Sequence, residues 1–174
     1  MRLLERFLQE KLQELNDAGV RLQAIGRLNE LPEICQRSSS KRIASTSANS
    51  RLTLILALSY SGRTEMVDAV KSIARDALAG KLAEEDITEA LFSKRLYTAN
   101  FPDPDLLIRT SGRFDCRILL WQLSYTEIHV TSKLWPDFRK EDFLNALRDF
   151  SQKNSPIRRE FNLLLLIFAR FAFS

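Results

Sequence analysis

Arg109, Thr110 and Ser111 stand together ahead of Gly112, and the residues before them read Phe101-Pro102-Asp103-Pro104-Asp105-Leu106-Leu107-Ile108. A guanidinium offers paired donors to phosphate oxygens, hydroxyls add further bonds, and backbone N–H groups around a glycine turn accommodate an anion. The group suits a phosphate or diphosphate. Other chemistries are thinly supplied. His129 is the lone histidine, so neither a Ser-His or Cys-His nucleophile system nor a histidine metal cluster is available, and it reads as structural. Cys35 and Cys116 lie far apart without metal-ligand spacing and read as reduced thiols. Asp103 and Asp105 alternate on an extended chain, and carboxylates bind Mg²⁺. Their flanking prolines favour a rigid turn whose acids cap a loop or a helix start.

The elements that position these residues follow from periodicity. An apolar stripe of Leu4, Phe7, Leu8, Leu12 and Leu15 predicts a helix over 2–18, stopped by Gly19. Residues 20–25 read as a strand, 32–48 as a helix entered through Leu31-Pro32, and 51–60 as a strand covered on both faces. Ser61-Gly62-Arg63 turns into a helix over 64–79, a second helix covers 84–96, and 105–108 is the strand that delivers Arg109. Residues 118–123 read as a strand or the start of a helix, 127–131 as a strand, and 140–150 as a helix. Strands alternating with helices predict an α/β fold with a mainly parallel sheet flanked by helices.

Composition sets bounds. At 174 residues and 45% hydrophobic content the chain is one domain's worth, with enough apolar residues for a real core. A net charge of +4 is compatible with an anionic ligand or surface, and the interleaved signs read mostly as solvated surface. The start is charged and periodic, unlike a secretory signal. Leu163 to Ala169 is apolar but too short to span a bilayer, which needs roughly 20 residues. A cytoplasmic protein, with membrane association at most peripheral, is expected.

Beyond single residues, whole words match a known family. Phe101 to Gly112 followed by Leu119-Leu120-Trp121-Gln122, Tyr125-Thr126-Glu127 and Leu134-Trp135-Pro136-Asp137-Phe138 resembles the signature of the cis-prenyltransferases, the isoprenyl transferase family. Arg21-Leu22, Ile25-Gly26, Leu31-Pro32, Thr46, Asn49, Leu52 to Arg63 and Thr64 to Val70 resemble its preceding segments. The likeness runs from near the N-terminus to about Phe150, giving a family-like domain over 1–150 and an atypical basic and apolar tail over 151–174. It implies addition of isopentenyl units to an allylic diphosphate such as farnesyl diphosphate, yielding a long polyprenyl diphosphate of the kind that serves as a bacterial cell-wall lipid carrier. It further implies Mg²⁺ as cofactor, Arg109 gripping isopentenyl diphosphate, Glu127 ligating magnesium, and a homodimer with the signature near its interface. No nucleic-acid partner is implied, and the tail is suited to peripheral membrane contact. Arg63 is expected in a structural turn, and Trp121 and Trp135 in core or interface.

Two departures temper the match. The family's opening strand carries Met-Asp-Gly-Asn-x-Arg-Trp, whose aspartate is central to catalysis, and no residue here corresponds to it. The chain therefore reads as N-terminally incomplete by roughly the first third of a family domain, with no assignable catalytic residue and no transfer expected from it alone. After Gly112 the family reads Glu-x-Arg-x-Ser-Asn-Phe, whereas Arg113 to Ile118 is one residue shorter, so the family's second arginine and serine are carried onto neither Arg113 nor Arg117. A non-catalytic partner or diphosphate-binding remnant of the same family is the alternative. The tail reads as a sticky surface suited to aggregation, dimer contact or lying on a bilayer, whose removal from Ser155 onward raises solubility.

Overall fold

The structure, a computed structural model, describes residues 2–110, 112, 118–153 and 165–168. Ten regular elements lie in these residues: α1 (Arg2–Asp17), β1 (Val20–Ile25), α2 (Glu33–Ser45), β2 (Leu52–Ala57), α3 (Gly62–Leu78), α4 (Glu89–Ser93), β3 (Leu106–Arg109), β4 (Glu127–Val130), α5 (Lys140–Lys153) and β5 (Leu165–Phe168). The chain forms two compact units. Residues 1–100 with 164–174 make one, and 101–163 the other.

The first unit is built on a parallel sheet in the order β1-β2-β5. Alternation along β2 sends Leu54 and Leu56 to one face, where they cluster with Val20 and Leu22 of β1, Leu31, Cys35 of α2, and Leu58. The helices α1 and α2 pack on β1. Ile55 and Ala57 of the other face are buried as well, as are Ala69 and Ile73 on α3. A parallel strand covered on both sides must be apolar at every position, and Leu54 to Leu58 is.

Two residues within the family-like words close the outer edge of β1. The Thr46 hydroxyl accepts from the Leu22 N–H at 3.0 Å, and the Asn49 amide donates to the Val20 carbonyl at 2.8 Å. Side chains thus satisfy backbone groups that no neighbouring strand reaches. Gly19, at φ +68°, ends α1 in the left-handed region where glycine costs least.

Three expectations change. The helix expected over 84–96 is split into a 3₁₀ turn at Glu84–Asp86 and the short α4. Asp86 accepts from the Ala83 N–H at 2.9 Å, and Thr88 restarts the chain by accepting from Leu91 N–H at 3.2 Å. Local side-chain bonding there competes with a continuous helix. Within 118–123, the described fold is a turn leading into a 3₁₀ segment at Gln122–Tyr125, not a strand. The apolar tail, expected to be a sticky surface for aggregation, dimer contact or a bilayer, supplies β5, paired in parallel with β2 from Leu54↔Leu165 to Ala57↔Phe168.

The second unit is a parallel pair, β3 with β4, in the register Leu106↔Glu127 to Arg109↔Val130, with α5 packed on β4. His129 lies on β4 with Nδ1 3.2 Å from the Asp149 carboxylate of α5.

Candidate functional site

Arg109 ends β3. The next turn is closed by backbone bonds: Thr131 N–H donates to the Arg109 carbonyl, and Gly112 N–H donates to the Thr131 carbonyl, both at 2.8 Å. Gly112 takes φ +63°, a conformation favouring glycine. Its own amide is therefore committed to the protein and is not among the N–H groups left for an anion. The half-buried Arg109 and Thr110 are the residues of the motif placed at the strand's carboxyl end, where open α/β sheets bind ligands. Ser111, Arg113, Cys116 and Arg117 lie outside the described residues.

Glu127 begins β4 and pairs with Leu106, three register steps from Arg109. At about 3.3 Å per residue the two backbones stand roughly 10 Å apart along the ladder. Side chains alternate, so Arg109 shares the face of Leu107 and Glu127 that of Leu106 and Ile108. One copy of this unit does not bring the two together. Among the described residues no three of His, Cys, Asp and Glu converge as a metal cage. Asp105 contributes its backbone, the carbonyl accepting from Glu127 N–H at 3.0 Å, and so sets the start of β4.

In the first unit the carboxyl ends of β1 and β2 carry a charged network that the motif reading missed. Arg27, following Gly26, donates from Nε and Nη2 to both oxygens of Asp68 on α3, each at 2.8 Å, and from Nη1 to Glu30 at 2.9 Å. The Tyr97 hydroxyl also bonds Asp68, and Ser59 donates to Glu30 at 2.8 Å. The Arg27 guanidinium, then Tyr97, holds the Asp68 carboxyl down at about 2. Burial first, then the Asp68 carboxylate, pushes Tyr97 up to about 12.

Behind this, Glu65 is only 2% exposed. It accepts from the Tyr60 hydroxyl at 2.6 Å and from the Tyr97 backbone N–H at 3.0 Å. The Tyr60 and Tyr97 rings meet edge to face, centroids 6.1 Å apart. Together these groups clamp the turn over Ser59, Tyr60 and Ser61, in which Ser59 adopts φ +44°. A non-glycine residue in that region persists only when its surroundings hold it. Gly26 is equally constrained, because a Cβ there would lie 2.1 Å from the Leu58 carbonyl oxygen. Local pattern in the sequence does not show that Arg27 meets Asp68 or that Tyr97 bonds both Asp68 and Glu65.

Arg63 is exposed in the first turn of α3, consistent with a turn position. Trp121 is partly buried, while Trp135 is exposed and stacks on Phe138 with centroids 5.8 Å apart.

Residues 1–158 match the prenyltransferase family model described as undecaprenyl diphosphate synthase. An isoprenyl transferase of Heliobacterium mobile is 48% identical over 153 residues, which are 87% of this chain and 59% of that protein. One from Geobacillus kaustophilus is 45% identical over 155 residues, 88% of this chain and 60% of that protein. The chain thus spans about 60% of the length of these relatives. In three dimensions it is similar to lavandulyl diphosphate synthase from Lavandula x intermedia, solved with dimethylallyl diphosphate. The TM-score is 0.82 and the identity 39%, over 86% of this chain and 66% of that one. The α/β architecture expected from periodicity is therefore the architecture of these transferases. The chain belongs to the undecaprenyl diphosphate synthase family of isoprenyl transferases.

Proposed function

We propose that this chain carries the isopentenyl diphosphate half of a cis-prenyltransferase site, with Arg109 as the diphosphate-binding residue. The observation that carries the reading is the placement of Arg109 at the carboxyl end of β3, beside Thr110 and before the Gly112 turn. A guanidinium anchored on a strand meets a diphosphate bidentately with little ordering cost. Glu127 is the proposed magnesium ligand. Bound Mg²⁺ would neutralise charge on the departing pyrophosphate. The 10 Å offset between Arg109 and Glu127 along the ladder suits groups that serve two diphosphates, or two copies of the chain, better than one shared anion.

In the whole enzyme the reaction is addition of isopentenyl diphosphate to an allylic diphosphate, farnesyl diphosphate being the expected acceptor and a long polyprenyl diphosphate the product. The solved relative holds an allylic diphosphate, dimethylallyl diphosphate, which supports that substrate class. Catalysis of this kind rests on preorganised charge around the leaving group. No residue of this chain matches the family's catalytic aspartate, so the 174 residues alone bind but do not transfer. A homodimer is part of the proposal, supported by the exposure of Tyr125, Ile128, Leu134 and Trp135 in the second unit.

Purified chain incubated with farnesyl diphosphate, labelled isopentenyl diphosphate and Mg²⁺ should give no butanol-extractable polyprenyl product, and appearance of product would overturn the binding-only reading. By calorimetry, isopentenyl diphosphate should bind weakly and Arg109→Ala should reduce its affinity. One charged hydrogen-bonding group contributes about 1.5–3 kcal/mol, a loss of roughly one to two orders of magnitude. Unchanged binding in Arg109→Ala would reject the assignment.

A further inference from the structure

The parallel sheet of the first unit has two sides of unlike build. Beyond β1 the family-like words supply a finish: Thr46 accepts from the Leu22 N–H and Asn49 donates to the Val20 carbonyl, so side chains satisfy the outer backbone. β1 also carries Arg21, and charge discourages pairing with further chains. β2 has none of this. It reads Leu-Thr-Leu-Ile-Leu-Ala over Leu52–Ala57, without charge or proline, and Leu54 to Ala57 are at most 6% exposed. That is the composition of an interior strand, paired on both sides.

Its second neighbour is β5, which covers it only in part. Pairing runs from Leu54 to Ala57 and leaves Leu52 and Thr53 without a partner in β5. The strand also comes from outside the family-like sequence. The family model matches residues 1–158 and so holds no counterpart of Leu165–Phe168. Yet the fold that this chain shares with lavandulyl diphosphate synthase, at a TM-score of 0.82, is built around the same kind of parallel sheet. A buried strand needs its backbone groups met in any protein that contains it.

We propose that β5 is a substitute strand: the tail of this chain occupies the sheet position beside β2 that the longer relatives fill with a strand from the part this chain does not match. The open side of β2 is thus a strand-accepting site. Its ligand is an extended apolar segment running parallel to β2, and the tail is its resident occupant. Main-chain bonds hold such a ligand, and the alternation of the pleat sorts its side chains. Because β5 meets only part of β2, a strand that pairs along the whole of Leu52–Ala57 displaces it. This site is separate from the proposed diphosphate half-site, since β2 and β5 belong to the first unit and Arg109 and Glu127 to the second.

The test titrates the full chain into a fluorescently labelled polypeptide made from the part of the Heliobacterium mobile isoprenyl transferase that this chain does not match, with anisotropy as the readout. Two variants bracket the wild type. Leu166→Pro/Ile167→Pro vacates the edge and should bind the labelled segment about fivefold tighter or more, the weight of a single ladder bond. Ala57→Cys/Phe168→Cys locks it, because Cα partners on neighbouring strands lie about 4.8 Å apart, within the reach of a disulfide. Oxidised, this variant should show the linked peptide by mass spectrometry and lose binding; reduced, it should regain the wild-type affinity. Circular dichroism melts check that both variants fold, and the locked variant decides the matter where the proline variant does not. Failure of the two cysteines to link, equal binding by the locked and reduced chains, or binding by none of the forms would each overturn the proposal.

Discussion

Asp68 receives two hydrogen bonds from Arg27 and one from Tyr97, and the consequence is a pH dependence with a definite sign. Its carboxyl is held at about 2 in the fold, whereas an unfolded aspartate titrates near 3.9. Folding therefore favours the charged form. The contribution is complete above about pH 4 and disappears as the pH falls through about 2. Asp68→Asn should lower the urea midpoint at pH 7, and the wild-type and variant curves should draw together as the pH approaches 2. A midpoint difference that persists undiminished at the acid end would show that the ion pair is not its source. The neighbouring Glu65 works by geometry. It is buried and accepts from one hydroxyl and one backbone amide, so its removal would leave both donors without an acceptor.

Among the elements, β5 changes the expectation most. An apolar tail too short to cross a bilayer was expected to be sticky, and its loss to improve solubility. Paired with β2, however, residues 165–168 cover the edge of the most buried strand in the first unit. An uncovered parallel edge is a template for association. Leu166→Pro/Ile167→Pro, which removes the one ladder donor this pair of adjacent residues can direct at β2 and fits no parallel strand, should therefore destabilise the first unit and promote aggregation. One ladder bond at ~1 kcal/mol corresponds to a melting temperature lower by roughly 2–4 °C, and amide exchange should quicken at Leu54 to Ala57. Unaltered protection of those amides would mean that β5 does not pair there in solution.

For the whole molecule the proposed site residues lie in one unit and the charged clamp in the other. The first holds the clamp around Ser59 to Ser61, and the second holds Arg109 and Glu127. The second unit also leaves Leu134 and Trp135 more than half exposed, beside Tyr125 at 82%. If these side chains form the proposed dimer contact, sedimentation velocity at micromolar concentration should show a dimer, and Leu134→Asp/Trp135→Asp a folded monomer. A monomeric wild type would reject the homodimer. No helix among the described residues is long and apolar enough to cross a membrane.

Local pattern alone determined much of this protein. The apolar runs of 20–25 and 52–57, the glycine stop at Gly19 and the helical stripe of α1 placed these elements to within a few residues, because each is dictated by short-range sterics and burial of one face. The words around Arg109 and Glu127 identified the family for the same reason: they are contiguous in the chain. What the tertiary structure decided is long-range. Arg27 meets Asp68 across 41 residues, Tyr97 meets Glu65 across 32, and Thr46 closes the edge of β1 at Leu22. The tail becomes a strand only because β2 offers an edge, and the separation of Arg109 from Glu127 follows only from the register of β3 on β4. Such pairings depend on how distant segments pack, and no period within either segment encodes them.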